Sequence, residues 1–177
     1  MTATVETFPA GVLSDLIRHM QWADASVWRA VLAHEPARMD PRLRHLLTHL
    51  HLVQRLFLVV WRGDASEAEL KSFKQFGELA ELRDRAIVGY PEFTRVLETA
   101  DPPAMARGIV PPFVAQFEKQ LGRTFAIPTL AETMLQVTSH STYHRGQVNA
   151  RLREVGGEPP LVDYIAWIWF GRPEAEW

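Results

Sequence analysis

Apolar residues recur at helical spacing in four long stretches of the chain, and this pattern predicts its main elements. The four stretches are residues 10–34, 39–62, 78–99 and 129–155. In the first of them, Leu13, Ile17, Met20 and Val27 follow the three- and four-residue steps of one helix face. We therefore expect a single all-α domain over residues 1–177, built as a four-helix bundle.

Start and stop signals bound two of these helices. Asp40 followed by Pro41 is typical of a helix beginning, and Gly63 is typical of a helix end. Thr129 and Glu132 have the spacing of a capping box, which places the start of the last long helix beside them.

Prolines and polar clusters predict where the helical pattern stops. The Gly-Tyr-Pro sequence at residues 89–91 predicts a kink or a break in the third helix. Residues 66–69 (Ser-Glu-Ala-Glu) are expected to cap a short connecting turn. Prolines are dense over residues 101–128, and short extended pieces are expected around Ile109–Val114. A short irregular segment should therefore precede the last long helix.

Composition narrows the class of protein. Hydrophobic residues make up 47% of the chain and charged residues 23%, which is the balance of a globular protein. A net charge of −2 does not indicate binding to nucleic acid or to an anionic membrane, since both need a basic surface. No apolar stretch of the sequence is long enough to span a bilayer. The N-terminal residues lack the basic region of a secretory signal, so a cytoplasmic location is expected. Without cysteine, disulfides, thiolate nucleophiles and cysteine-ligated zinc are excluded.

Two histidines on the fourth helix point to a metal. His140 and His144 are four residues apart, so their imidazoles project from the same helix face within reach of one cation. They lie on the flank of that helix's apolar face, roughly 50–70° from its centre. Such a pair can also be exposed, or satisfied within the core, so the spacing alone leaves a non-metal interpretation equally open.

The second helix offers three candidates for a further ligand: His45, His49 and His51. His49 lies about 90° from the centre of the apolar face, closer than His51 at about 110° or His45 at about 130°. His49 is therefore the best placed, although the pair His45 and His49 is itself four residues apart and keeps a different site open. His19 and His34 have the placement of ordinary helix-surface residues.

The C-terminal run Tyr164–Phe170 is too apolar to remain in water. It predicts either packing onto the bundle or association into a homodimer, and the sequence favours the dimer only slightly. Trp22, Trp61 and Trp167 are candidates for lining the mouth of a pocket.

Several segments together resemble the DinB/YfiT-like family. The most specific is His140–Gln147, which reads His-Ser-Thr-Tyr-His-Arg-Gly-Gln; weaker matches are Gln21–Asp24, His49–Gly63 and Asp163–Trp167. The resemblance covers nearly the whole chain. It implies a four-helix bundle with an up-down-down-up connection, a divalent metal held by three histidines, and frequent homodimers.

Carried over position by position, the resemblance makes His49, His140 and His144 the metal ligands. Residues expected to support the ligands or to contact substrate are Arg145, Gln147, Tyr143 and Asp24. Arg145 falls near the centre of the apolar face, where a buried pair with an acid such as Asp24 is favoured over substrate binding. Gln147 is expected either to orient a ligand histidine or to bond to the backbone. Tyr143 is interpreted as a packing residue. Asp24 departs from the asparagine that the family tends to show.

A site with three histidines leaves coordination positions open for water or substrate. The resemblance implies an enzyme similar to thiol S-transferases that use bacillithiol, mycothiol or glutathione with a small-molecule substrate; activation of water, as in a hydrolase, is the related possibility. The alternative is a non-catalytic, stress-associated metal-binding bundle. Imidazoles suit zinc, nickel, iron and copper alike, so the ligands alone do not select the metal. We expect zinc or nickel, with iron or copper as the next choices. A carboxylate-bridged di-iron bundle is disfavoured, since no Glu-x-x-His sequence occurs in the chain.

Overall fold

The computed structural model describes residues 10–63, 71, 75 and 77–177, and the regular elements in these residues are helices. They are α1 (Ala10–Ala33), α2 (Glu35–Met39), α3 (Pro41–Arg62), α4 (Leu79–Thr99), α5 (Pro102–Met105), α6 (Val114–Leu121), α7 (Leu130–Glu154) and α8 (Tyr164–Trp169). The four long helices predicted from the sequence are α1, α3, α4 and α7. The turn predicted at residues 66–69 lies outside the described residues.

The predicted helix ends are confirmed by their capping contacts. The Asp40 side chain accepts a hydrogen bond from the backbone N–H of Leu43 at 2.8 Å, so it caps α3. Gly63 ends that helix with φ of 78°, a left-handed conformation that glycine adopts without strain. Thr129 and Glu132 form both hydrogen bonds of a capping box at the start of α7.

Of the kink or break predicted at residues 89–91, the break is wrong. Helix α4 runs unbroken through Pro91 from Leu79 to Thr99. Tyr90 and Phe93 are 1% and 2% exposed, so both side chains on either side of the proline are anchored in the core. The free energy gained by this packing offsets the loss of the backbone hydrogen bond that the proline cannot donate.

The segment between α4 and α7 is irregular, as predicted, but it contains less extended structure than expected. Its only isolated bridge among the described residues pairs Gly108 with Thr129, supported by a hydrogen bond from Ile109 N–H to the Pro128 carbonyl at 2.8 Å. Val114 begins helix α6 rather than ending a strand.

The long helices form a bundle in which α1 and α3 each pack against both α4 and α7. Hence α1 and α3 lie on one diagonal of the bundle, and α4 and α7 on the other. Residues of all four helices meet in one apolar cluster that includes Met20, Phe57, Phe93 and Met134. A second cluster, with Val31, Leu47, Leu82 and Leu152, fills the opposite part of the bundle. The interface of α3 with α7 carries the histidines described below.

Helix α8 folds back onto α1. Trp167 is fully buried and packs against Trp22 and Ala23, which confirms that part of the apolar tail covers the bundle. Trp169 and Phe170 at the end of α8 remain 74% and 58% exposed.

Trp22, Trp61 and Trp167, the candidates for lining the mouth of a pocket, lie inside the bundle. All three are buried, because each ring finds apolar or hydrogen-bonding partners inside the bundle. Trp61, for example, donates its indole N–H to the hydroxyl of Thr133 at 2.9 Å. In the part of the chain that the structure describes, no helix is long and apolar enough to cross a membrane.

Candidate metal centre

Three histidines meet where α3 packs against α7. His49 comes from α3, and His140 and His144 come from successive turns of α7. One ring nitrogen from each residue lies within 4.8 Å of the others. The ring centroids are 4.3 Å apart for the pair on α7, and 4.4 Å apart for His49 and His144. The structure therefore brings together the three residues that the sequence predicts as metal ligands.

The surroundings of His140 fit a bound cation. Its Nε2 atom is buried and has no hydrogen-bond partner among the described residues. A buried nitrogen without a partner is costly, and a metal ion beside it would supply the missing contact. The rings of His49 and His144 supply the other nitrogens of such a site, and all three residues are partly buried.

Gln147 fixes the orientation of His144. Its side-chain oxygen lies 2.8 Å from His144 Nδ1 and accepts the ring N–H, which leaves His144 Nε2 with a lone pair. This contact is the first of the two roles expected for Gln147. It is the arrangement by which protein side chains usually hold a ligand histidine in one tautomer and one orientation.

The surroundings of His140 and His49 favour the neutral form of these two imidazoles. Burial, together with repulsion from His144 and His49, lowers the pKa of His140 to about 4. Burial and the neighbouring rings of His144 and His45 lower the pKa of His49 as well. Since a neutral imidazole is the form that binds a metal, these two nitrogens are available at neutral pH.

The rival candidates on α3 take no part in the cluster. His45 is exposed and is not a member of the group of three. His51 is 2% exposed, and its two ring nitrogens contact Gln54 and Trp28 at 2.9 Å and 2.8 Å. Among the described residues, no group of three potential metal ligands contains the His45–His49 pair.

The expectation that His19 and His34 are surface residues is wrong. His19 is 5% exposed and its Nε2 lies 2.9 Å from the Val162 carbonyl, because the segment before α8 covers it. His34 is partly buried, with its Nε2 2.8 Å from the Val155 carbonyl at the end of α7. His19, on α1, thus contacts the segment before α8, and His34, directly after α1, contacts the end of α7.

Arg145 forms the buried ion pair that the sequence favours for it. Its guanidinium donates to Asp24 at 2.8 Å, and the two side chains are 2% and 1% exposed. A second nitrogen donates to the Thr142 hydroxyl at 2.9 Å. The departure from asparagine at Asp24 has a physical reason here, since a carboxylate neutralises the buried arginine whereas an amide would not.

The second oxygen of Asp24 joins this pair to a polar network that the sequence analysis missed. It accepts hydrogen bonds from the Tyr90 hydroxyl and from the Gln54 amide, the latter at 2.8 Å. The same amide nitrogen lies 3.0 Å from the Ser141 hydroxyl. Burial and the carboxylate of Asp24 raise the pKa of Tyr90 well above its ordinary value, so this phenol stays protonated as a donor.

The network continues to α1 through His51. Trp28 N–H donates to His51 Nε2, so the proton of this imidazole resides on Nδ1 and is donated to the Gln54 side-chain oxygen. Burial lowers the pKa of His51, which keeps the ring neutral. The sequence does carry one sign of this network. Gln54 is a polar residue on the helix face between Leu50 and Phe57, which is otherwise apolar.

These buried contacts connect α1, α3, α4 and α7 next to the histidine cluster. Asp24 and Arg145 are therefore buried and paired with each other, and their ion pair holds α7 against α1. Tyr143, by contrast, is 65% exposed and its ring lies edge-on to His144 at 5.0 Å. Tyr143 therefore lies mostly in solvent at the rim of the cluster, and within the described residues its aromatic packing is limited to this contact with His144.

Comparison with known proteins places the chain in a family. The model of the DinB family matches residues 10–175. The chain belongs to the DinB family. It is similar to Protein DinB of Bacillus subtilis (strain 168), with 22% identity over 175 residues that cover 90% of this chain and 95% of that protein. No solved structure matches the chain significantly. The resemblance carried by the His140–Gln147 segment is thus confirmed at the level of the family.

Proposed function

We propose that this DinB-family protein is a metal-dependent enzyme that transfers a low-molecular-weight thiol to an electrophilic small molecule. The observation that carries the proposal is the convergence of three histidine nitrogens at one edge of the bundle, with a buried and unpartnered Nε2 on His140. A cluster of this composition suits a catalytic cation, because three protein ligands leave room for a further molecule.

His49, His140 and His144 would hold the cation through neutral imidazoles. When bound, the cation lowers the pKa of a thiol or a water molecule that reaches it, so that a nucleophile is available at neutral pH. Gln147 keeps the lone pair of His144 aimed at the centre. The Arg145–Asp24 pair fixes the turn of α7 that carries His144, so the distances between the three nitrogens are maintained.

The proposed transfer is a substitution at carbon. The thiol gives up its proton to water, its sulfur forms a bond to the electrophilic carbon, and the leaving group departs with the electron pair of the broken carbon bond and takes up a proton from water. The chain has no cysteine, so the sulfur nucleophile arrives with the cosubstrate: bacillithiol, mycothiol or glutathione. We propose zinc or nickel as the cation, with iron or copper as the next choices.

Four broader properties belong to the same proposal. The chain is one DinB-like domain over residues 1–177, its long helices follow an up-down-down-up connection, and it acts in the cytoplasm. It forms a homodimer through the apolar side chains that α8 leaves exposed, Trp169 and Phe170 among them. Their exposure supports the dimer because single-chain surfaces seldom leave neighbouring large aromatic residues in water.

The test is thiol-dependent turnover by the metal-loaded protein. Each of the three thiols is incubated with a panel of alkyl and aryl electrophiles, and the thioether is quantified by mass spectrometry. We expect product with the native protein and with His45→Ala, and at least about a hundredfold less with His144→Ala, since removing a ligand removes the cation. Hydrolysed electrophile that forms without any thiol would favour the hydrolase version. No turnover by the native protein with metal bound would identify a non-catalytic metal-binding bundle, and equal turnover by His144→Ala would contradict a metal-dependent reaction.

A further inference from the structure

An apolar cavity lies beside the histidine cluster, on the same α3–α7 interface. Its volume is about 600 Å³, within the range of small-molecule sites. Phe57 of α3 and Thr133 and Gln136 of α7 form its floor, and the irregular segment before α7 forms its outer walls. The apolar residues of these walls include Phe113, Val114, Phe125, Ile127 and Pro128.

The cavity and the cluster are neighbours along α7. Thr133, Gln136 and His140 follow the three- and four-residue steps of one helix face, so they lie in one stripe. Gln136 precedes His140 by four residues, a rise of about 6 Å along the helix. A small molecule that fills the cavity can therefore extend one end to the cluster.

Among the described residues that line it, the cavity presents no cationic side chain to its occupant. Glu132 is the one ionisable residue in this lining, and the Oε2 atom of its carboxylate accepts hydrogen bonds from the Thr129 N–H and hydroxyl at 2.7 Å and 2.9 Å. The Thr133 hydroxyl is also engaged, since it donates to the Leu130 carbonyl at 2.7 Å and accepts from Trp61. An anionic group would therefore lose its hydration in this cavity without gaining a cationic partner, which costs free energy.

Gln136 is the polar exception. Its side chain is exposed at the end of the cavity nearest His140, where an amide can donate to or accept from a neutral polar linkage. The arrangement from cavity to cluster is therefore apolar, then uncharged polar, then metal-binding.

We propose that this cavity binds the neutral apolar group of the electrophilic substrate, an aromatic ring or a branched aliphatic chain. The group is joined through an uncharged polar linkage, at Gln136, to the carbon that reacts at the histidine cluster. This assignment names the substrate class and rests on the proposed function for its reactive end. Binding of the apolar group itself needs no metal.

The test uses Nile red, a neutral apolar dye whose fluorescence rises and shifts to the blue in an apolar site. Ala126 lines the cavity, and Ala126→Trp should fill it and weaken dye binding by at least about tenfold. The matched control is Ala115→Trp on the exposed side of α6, which should leave dye affinity unchanged. Val114→Trp fills the same cavity from α6 and provides a second variant if Ala126→Trp does not fold.

His144→Ala separates this inference from the proposed function. The dye should bind this variant as it binds the native chain, whether or not thiol transfer occurs. With an active substrate, Ala126→Trp should raise KM at least about tenfold and change kcat little, as expected for lost binding away from the reacting atoms. Unchanged dye affinity in both cavity-filling variants would overturn the assignment, as would loss of dye binding in His144→Ala.

Discussion

The amide oxygen of Gln147 lies 2.8 Å from Nδ1 of His144, one turn along the same helix. The two residues are three positions apart on α7, so the helix itself brings them together. This hydrogen bond determines which nitrogen of His144 faces His49 and His140. The geometry of the cluster thus depends on a residue that offers no ligand atom of its own.

Gln147→Met should weaken metal binding without abolishing it. Methionine keeps the length of the side chain but cannot accept the ring N–H, so His144 is free to rotate and to change tautomer. We expect metal affinity to fall by about 10–100-fold, measured by competition with a chromogenic chelator. Gln136→Met on the same helix is the control and should bind metal like the native chain. Equal affinity for the two variants would show that the contact does not position the ligand.

The buried pair of Asp24 and Arg145 should be strongly coupled. Asp24→Asn leaves a buried guanidinium without its counter-charge, and we expect the free energy of unfolding to fall by about 3–5 kcal/mol. Arg145→Met should cost a comparable amount. In the double variant no charge is left unpaired, so the loss should be well below the sum of the two. Urea unfolding of the four proteins measures this, and additive losses would contradict the coupling.

Asp40 should make the stability depend on pH. Hydrogen bonds from Arg151 hold the pKa of this carboxyl below its ordinary value. Because the folded-state pKa is lowered, the contribution is present above the unfolded-state pKa near ~4 and is lost as the pH falls through the folded-state value.

Asp40→Asn is the variant that isolates this effect, since asparagine caps a helix about as well as aspartate. Its difference from the native chain in free energy of unfolding should be constant between about pH 7 and about pH 5, and should shrink as the pH falls below ~4. Asp40→Ala also loses the cap of α3 and should cost a further amount of about 0.5–2 kcal/mol. A difference that grows on acidification would refute the assignment.

Association should depend on the aromatic residues that α8 leaves exposed. We expect Trp169→Ser with Phe170→Ser to convert a dimer into a monomer in multi-angle light scattering, because the substitutions remove the apolar surface available to a second copy. Val88→Ser is the control, as Val88 is also exposed but lies on α4. A native chain that is monomeric at every concentration would end the dimer proposal.

The long helices were predictable because their signals are local. The cap at Asp40, the stop at Gly63 and the capping box at Thr129 each depend on residues within one turn. The break expected at Pro91 shows the limit of such signals. There the burial of Tyr90 and Phe93, which depends on other helices, keeps α4 continuous.

In the candidate site too, the local features were predictable from the sequence and the contacts between distant residues were not. The pair His140 and His144 is visible as a spacing, and His49 follows from its helix face and the family resemblance. The buried network around Gln54 was missed, because its partners come from distant parts of the chain. His19 was misplaced for the same reason, since the segment that covers it ends at α8, more than a hundred residues later.

Metal content is the most direct test of the histidine cluster. The native chain, His144→Ala and His45→Ala are each loaded with zinc or nickel, freed of excess metal by gel filtration, and analysed by inductively coupled plasma mass spectrometry. The native chain and His45→Ala should retain about one metal ion per chain, whereas His144→Ala should lose most of it. His45 is the matched control because it lies one turn from His49 but outside the cluster. Equal metal content in His144→Ala and His45→Ala would contradict the assignment.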